Sequence, residues 1–170
     1  MVARALQSRR VEMPLFEHDA ALLGELIDEE LATIASYAEA IDRSESAYLT
    51  TTLRQLRDSH AARVRLLIER IEALGHRHRP AVPPASTLEG RATTRAAASD
   101  KTVIAGLLEV EDRLQARYRA IRSRLASETQ HFLDGRIMTE ERWGHFEIRE
   151  LAHQVHPATV TPPWAPAPRG

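Results

Sequence analysis

Apolar residues recur at steps of three and four in four segments of the chain, the spacing that places them on one face of an α-helix. The segments are Leu23–Ile41, Leu49–Leu74, Ile104–Leu125 and a weaker one, Met138–Val155. None of them alternates apolar and polar residues with the period of two that is typical of a half-buried strand. The pattern therefore predicts an all-α fold with four helices.

Polar residues interrupt these apolar faces, and they repeat between the two halves of the chain. Glu30 is followed seven residues later by Tyr37, and Glu111 is followed seven residues later by Tyr118. His60 lies on the second apolar face and His145 on the fourth. A carboxylate within an apolar face is costly unless it finds a partner. We therefore expect one Glu and one His from each half to meet inside the fold.

An arginine precedes each of these histidines by three residues: Arg57 before His60, and Arg142 before His145. Residues three apart lie side by side on a helix. Because the middle of one helix faces the middle of the next in an antiparallel hairpin, we expect Glu30 near His60 and Glu111 near His145. The predicted result is a polar layer at mid-height of the helices.

The connections predict how the helices are joined. Polar turns are expected at Arg43–Ser46 and within Ser127–Gly135, whereas residues 76–100 form a longer connection rich in Pro, Ala, Thr and Ser. Asp19, Ser46 and either Ser99 or Asp100 are candidate helix N-caps, and Gly75 is a candidate C-terminal residue. Two antiparallel hairpins joined by a long crossover form the ferritin-like four-helix bundle.

In residues 15–156 the chain resembles the ferritin-like superfamily, especially its rubrerythrin-related branch. The Glu…Tyr repeat, Gly90 within Leu88–Arg91 and the crossover are most similar to a bacterial four-helix family of unknown function. The resemblance implies two iron or manganese ions, held by a Glu from helices one and three and by Glu-x-x-His from helices two and four. The positions that match the family's ligands are Glu30, His60, Glu111 and His145.

Arg57 and Arg142 occupy the positions where that family has its second pair of glutamates. Two guanidinium groups in place of two carboxylates disfavour a divalent cation and favour bidentate Arg–carboxylate pairing. We therefore expect no cofactor and no enzymatic activity, but a metal-free structural or interaction protein. Its buried ion-pair layer would comprise Glu30, Arg57, His60, Glu111, Arg142 and His145. The alternative is iron or manganese binding, oxidation or storage at a divergent site of two Glu and two His.

The composition of the chain bears on its binding partners and its location in the cell. Acidic and basic residues nearly balance at a net charge of −1, no cysteine is present, and no apolar run approaches the roughly 20 residues of a membrane span. We expect a cytoplasmic protein that binds neither nucleic acid nor membrane. The run His76–Arg79 has two interpretations, an anion or metal site and a plain soluble loop.

The ends of the chain and one helix edge suggest partners. Residues 1–14 read as a basic N-terminal arm, and residues 157–170 as a Pro-rich tail that could dock on a partner protein. Leu22, Leu26 and Leu31 lie outside the main apolar face and predict a second hydrophobic edge. Self-association as a homo-oligomer is a plausible use for such an edge.

Overall fold

The computed structural model describes residues 15–78 and 99–155. Within these two ranges the chain is helical and has no strand, which confirms the predicted all-α class. No helix in the described ranges is both long and apolar enough to cross a membrane. The helices are α1 (Leu15–Arg43), α2 (Ala47–Ala73), α3 (Asp100–Arg122), α4 (Ser127–Arg136) and α5 (Met138–Val155).

Four long helices pack around a common core. α1 packs along α2 and also against α3, α3 packs against α5, and α2 meets α5 over a shorter stretch. Two apolar clusters form the core: one contains Leu26, Leu67 and Ile121, and the other contains Leu53 and Leu107 among others. The clusters lie at opposite ends of the helices, so the residues between them occupy the middle of the fold.

Local signals explain where helices begin and end. The hydroxyl oxygen of Ser46 accepts a hydrogen bond from the backbone N–H of Leu49, and Ser99 does the same for Thr102, as their predicted capping roles require. Gly75 has φ +81°, the left-handed conformation predicted for it. The His76 N–H bonds the Ile71 carbonyl and the Gly75 N–H bonds the Glu72 carbonyl, the paired bonds of a Schellman C-terminus.

Two predicted boundaries were wrong. The turn predicted within Ser127–Gly135 lies at residues 123–126 instead, and Ser127–Arg136 forms α4. The burial of Thr129 and Leu133 in the core stabilises α4. Asp19 caps no helix start, since α1 begins four residues earlier. Its Oδ1 instead accepts a hydrogen bond from the Ala126 N–H, tying α1 to the turn before α4.

The predicted second hydrophobic edge was also wrong. Leu22 and Leu26 are 1% and 0% exposed and belong to the core, and the half-buried Leu31 packs against it. α1 contacts two neighbouring helices, so it buries a wider face than a single apolar stripe predicts. The predicted N-terminal arm, most of the crossover and the Pro-rich tail lie outside the described residues.

Candidate functional site

The centre of the fold is a buried polar layer, and His60 joins its two carboxylates. His60 Nδ1 lies 2.6 Å from Glu30 Oε2, and its Nε2 lies 2.9 Å from Glu111 Oε1. All three side chains are at most 1% exposed. Because both ring nitrogens face a carboxylate oxygen, the arrangement favours an imidazolium that donates one hydrogen bond to each glutamate.

Arg63 completes the layer. Its Nε donates a 2.8 Å hydrogen bond to Glu30 Oε1, and its Nη1 donates a 3.1 Å bond to the Ser59 hydroxyl. Arg63 is 1% exposed, so its guanidinium is buried in the core. Arg63 Nη2 also lies 2.5 Å from His60 Nδ1. When Nδ1 carries the proton that it donates to Glu30, it has no lone pair and cannot accept a hydrogen bond from Arg63.

Two buried tyrosines cross between the halves of the repeat, and each donates to a carboxylate oxygen that already accepts a bond from His60 or Arg63. The Tyr37 hydroxyl donates a 2.6 Å hydrogen bond to Glu111 Oε1, and the Tyr118 hydroxyl donates a 2.6 Å hydrogen bond to Glu30 Oε1. The Tyr37 ring also lies against the His60 ring, with centroids 5.0 Å apart. Each carboxylate is therefore bonded by an element of the other half of the chain.

The charges of the layer explain its protonation. Burial alone would raise the pKa of Glu30, but the charges of Arg63 and His60 and their hydrogen bonds outweigh burial and lower that pKa to about 2. Burial opposes a charged His60, yet the Glu30 charge and the bonds to both carboxylates raise the pKa of His60 above its ordinary value. With His60 charged, two cations balance two carboxylates. The layer is then neutral overall.

Burial also raises the pKa of Glu111, but the bond from His60, the charge of His60 and the bond from Tyr37 together lower it below the ordinary value. The pKa of each tyrosine lies well above its usual value, because burial and the carboxylate that accepts its hydrogen bond both disfavour a phenolate. Both phenols therefore remain donors, and neither can supply negative charge to the layer.

The two arginines that the sequence places in this layer lie outside it. Arg57 is partly exposed and its guanidinium donates to its neighbour Asp58 at 2.9 and 3.1 Å, while Arg142 is exposed on α5. The helical phase explains the correction. Arg63, three residues after His60, reaches the same carboxylate as His60, whereas Leu56 occupies the buried position beside Arg57.

The second histidine is also displaced from the expected cluster. His145 is 7% exposed, and its Nε2 lies 2.7 Å from Asp112 Oδ1 at the protein surface, not beside Glu111. Its Nδ1 lies 3.5 Å from the Gln115 amide nitrogen. The structure thus brings together Glu30, His60 and Glu111, and leaves His145 in a separate pair.

Glu141 is a buried carboxyl that the sequence reasoning missed. It is 1% exposed, and neither carboxyl oxygen has a hydrogen-bond partner among the described residues. Burial raises its pKa, as does the nearby charge of Glu111, although Arg63 acts in the opposite direction. The burial of Glu141 could have been predicted from the sequence. Glu141 lies three residues after Met138 and four before His145, on the same helical face as both.

The residues present do not fit the two-metal site that the resemblance implies. Both Glu30 oxygens and Glu111 Oε1 are engaged by His60, Arg63 and two phenols, and His145 is absent from the cluster. In residues 15–78 and 99–155, no three His, Cys, Asp or Glu side chains are arranged to hold one ion. A cation would also meet the fixed positive charge of Arg63.

Comparison with known proteins adds no family to this description. No protein-family model matches the chain, and no curated protein or solved structure matches it significantly.

Proposed function

We propose that this chain is a ferritin-like four-helix bundle whose polar layer holds its helices instead of a metal, and that it acts as a structural or interaction protein. The observation that carries this proposal is the bonding of Glu30 and Glu111 by His60, Arg63 and the two tyrosines. Each of these side chains is at most 1% exposed, so within the described part of the chain the layer is shielded from solvent.

The cost of displacing this bonding supports the absence of a resident metal. A cation at the layer would have to break charge-assisted hydrogen bonds and strand Arg63 without a counter-ion. Breaking a buried ion pair by removing one partner typically costs about 3–5 kcal/mol. A metal would have to offset that loss before it contributed any stability.

The layer has a structural use that needs no ligand. Its bonds join α1 to α2, α2 to α3 and α1 to α3, and each bond requires one relative height of the two helices. Leu-rich helices can slide past one another at little cost, whereas a misplaced carboxylate in the core is expensive. Fixing the helix register is the best-attested use of buried polar groups.

The helix arrangement supports the ferritin-like part of the proposal. α1 and α2 are joined by a three-residue turn at 44–46, and α3 connects to α4 through residues 123–126. The Glu30–Tyr118 and Tyr37–Glu111 bonds place α1 and α3 antiparallel and relate the two halves by an approximate two-fold axis. Such internal symmetry is what two fused helical hairpins would produce.

Exposed aromatic side chains support the interaction role and self-association. Trp143 and Phe146 lie three residues apart on α5 and are 62% and 55% exposed. Aromatic side chains are enriched in protein interfaces. Sedimentation of the full chain should therefore give a mass above the 19.1 kDa monomer. A Trp143→Ser/Phe146→Ser variant should shift toward monomer, whereas Tyr48→Ser, at another exposed aromatic, should not.

Metal content tests the central claim. Tag-free chain purified from medium supplemented with iron and manganese should hold neither ion at stoichiometric level, and added iron(II) should oxidise no faster than in buffer. Stoichiometric iron or manganese that is lost in Glu30→Gln would contradict the proposal. That outcome would establish the alternative, a divergent metal centre that binds, oxidises or stores these ions.

A further inference from the structure

The outer face of α5 carries two aromatic side chains. Trp143 and Phe146 are both more than half exposed, and residues three apart are neighbours on a helix. The opposite face of α5 is buried and includes Glu141, His145 and Ile148. The two rings therefore project directly away from the core, along the outermost line of the helix.

The charged side chains beside this aromatic pair are separated by sign. An α-helix has 3.6 residues per turn, which fixes the direction in which each side chain leaves the axis. Arg142 and Arg149 lie on the side that faces α3, where Arg149 Nη2 is 3.6 Å from Asp112 Oδ1. Glu140 and Glu147 lie on the other side of the aromatic pair. The outer face of α5 therefore has one basic and one acidic side.

Arg142 and Glu147 are the charged residues that directly flank the aromatic pair. Arg142 is exposed and follows the line of Phe146, four residues later, whereas the half-buried Glu147 follows the line of Trp143. Within residues 15–78 and 99–155, neither of the two forms an ion pair. Both charges are therefore available to a partner that covers the aromatic rings.

A second copy of α5 can complement these charges in only one direction. If two copies pair in parallel, the two-fold axis runs along the helices and brings the basic side of one next to the acidic side of the other. Arg142 then meets Glu147 of the partner subunit, and the contact occurs twice. If the copies pair antiparallel about the same rings, the axis is perpendicular to the helices and like sides meet. Opposite charges beside an apolar contact favour the parallel direction, and like charges disfavour the antiparallel one.

We propose that two copies of this chain associate through the outer face of α5, with the two helices parallel, Trp143 and Phe146 at the centre and Arg142–Glu147 ion pairs on both sides. The inference rests on the self-association in the proposed function and adds its surface and direction. Aromatic side chains at the centre and charged ones at the rim are the usual anatomy of a protein interface. Because a two-fold contact uses the same surface on both subunits, assembly stops at the dimer.

Charge reversal tests the direction of pairing, with the dissociation constant of the full-chain dimer measured by sedimentation equilibrium. Arg142→Glu and Glu147→Arg should each weaken the dimer about tenfold, because each turns two opposite-charge contacts into like-charge ones. An equal mixture of the two variants should recover nearly the wild-type affinity, since their sides are again complementary. Lys101→Glu makes the same change of charge at an exposed position at the start of α3 and should leave the affinity unchanged. High salt should reduce the effect of each reversal.

Three outcomes would overturn this pairing. A monomeric wild type would mean that the aromatic rings have another occupant. Tighter association of Arg142→Glu would show antiparallel helices, because that change removes a like-charge contact of the antiparallel pair. A mixture no tighter than either variant alone would place the contact elsewhere. If the wild type self-associates but Arg142→Glu does not weaken it, only the pairing fails, and the proposed self-association stands. The metal-free layer is tested separately, by metal content.

Discussion

Tyr37 on α1 donates a 2.6 Å hydrogen bond to Glu111 on α3, across 74 residues of sequence, and Tyr118 on α3 returns the same bond to Glu30 on α1. The seven-residue Glu–Tyr spacing is two helical turns, so on antiparallel helices each tyrosine comes level with the glutamate of the other half. The repeat in the sequence therefore encodes contacts between the halves, not within each half.

Tyr37→Phe and Tyr118→Phe should each lower the free energy of unfolding by about 1.5–3 kcal/mol, the usual range for a hydrogen bond to a charged group. The ring and its packing remain, so the loss reports the hydroxyl alone. Tyr48→Phe, at a tyrosine that is 67% exposed, is the matched control and should change stability little. Urea denaturation measures all three. Equal effects at positions 37 and 48 would show that the phenol bonds contribute nothing.

Arg63→Leu should destabilise the chain by about 3–5 kcal/mol, because it leaves Glu30 charged and buried with fewer partners. The double variant Arg63→Leu/Glu30→Leu should recover part of that loss, since no carboxylate is then stranded. Arg57→Leu, at the surface arginine three residues before His60, should change the free energy of unfolding by less than about 0.5 kcal/mol. If Arg57→Leu proved the more damaging change, Arg57 and not Arg63 would be the partner of the layer.

The lowered pKa of Glu30 predicts how stability depends on acid. Because this pKa is about 2 when folded against an ordinary 4.5, the contribution is fully present above pH 4.5 and is lost as pH falls toward 2. This difference between the folded and unfolded pKa of Glu30 contributes about 3 kcal/mol to the free energy of unfolding at neutral pH. Unfolding free energies measured from pH 5 to 2.5 should fall more steeply in the wild type than in Arg63→Leu/Glu30→Leu. Parallel curves would contradict the shift.

His60 predicts the opposite dependence at higher pH. Its pKa is raised by folding, so its contribution is fully present below its ordinary value of 6.5 and is lost as pH rises through the folded value. NMR titration of the His60 ring protons should show an imidazolium that persists above pH 6.5. Titration of His60 at or below 6.5 would mean that the layer carries a net negative charge.

Glu141→Gln should stabilise the chain by about 1 kcal/mol at pH 7, because it removes the cost of ionising a buried carboxyl that has no partner among the described residues. Since its pKa is raised, this cost is absent below pH 4.5 and present above the folded value. The gain should therefore shrink at pH 4. Glu140→Gln, at the exposed neighbouring position, should show no such change with pH.

Gly75→Ala should destabilise the chain by about 1 kcal/mol through backbone strain alone, because φ is +81° and a Cβ would meet no atom within 4 Å. Gly135→Ala is the matched control. Its Cβ also meets nothing within 4 Å, but Gly135 lies in α4 without a positive φ, so alanine should stabilise the helix. Thermal melts of both variants should shift in opposite directions.

Much of the fold could be predicted from the sequence because the spacing of apolar residues and the helix-capping residues are local properties. The four long helices, the capping serines and Gly75 all follow from residues within one or two turns of each other. α4 was missed because its amphipathic pattern is weak and its Gly135 and polar first turn resemble a loop. It forms because Leu133 finds a place in the core, which depends on helices far away in the sequence.

The candidate site was predicted in its composition but not in its partners. Glu30, His60 and Glu111 stood out as polar residues on apolar faces, and the structure joins them. The choice between Arg57 and Arg63 depends on helix phase, since both lie three residues from His60. Which of the two turns inward is decided by the neighbouring helices, and the spacing of one helix does not report it. On α5 the buried position is Glu141, one residue before the exposed Arg142.

The charges of the layer are divided unequally between the two helical halves. The first half contributes Glu30, His60 and Arg63, and the second contributes Glu111. Two copies of the first half paired together would enclose two surplus positive charges, and two copies of the second half would enclose two negative ones. Only a first half with a second half gives a polar layer whose four charged groups balance. The unequal division therefore disfavours the pairing of like halves from two chains, and separately produced halves should complement each other but not themselves.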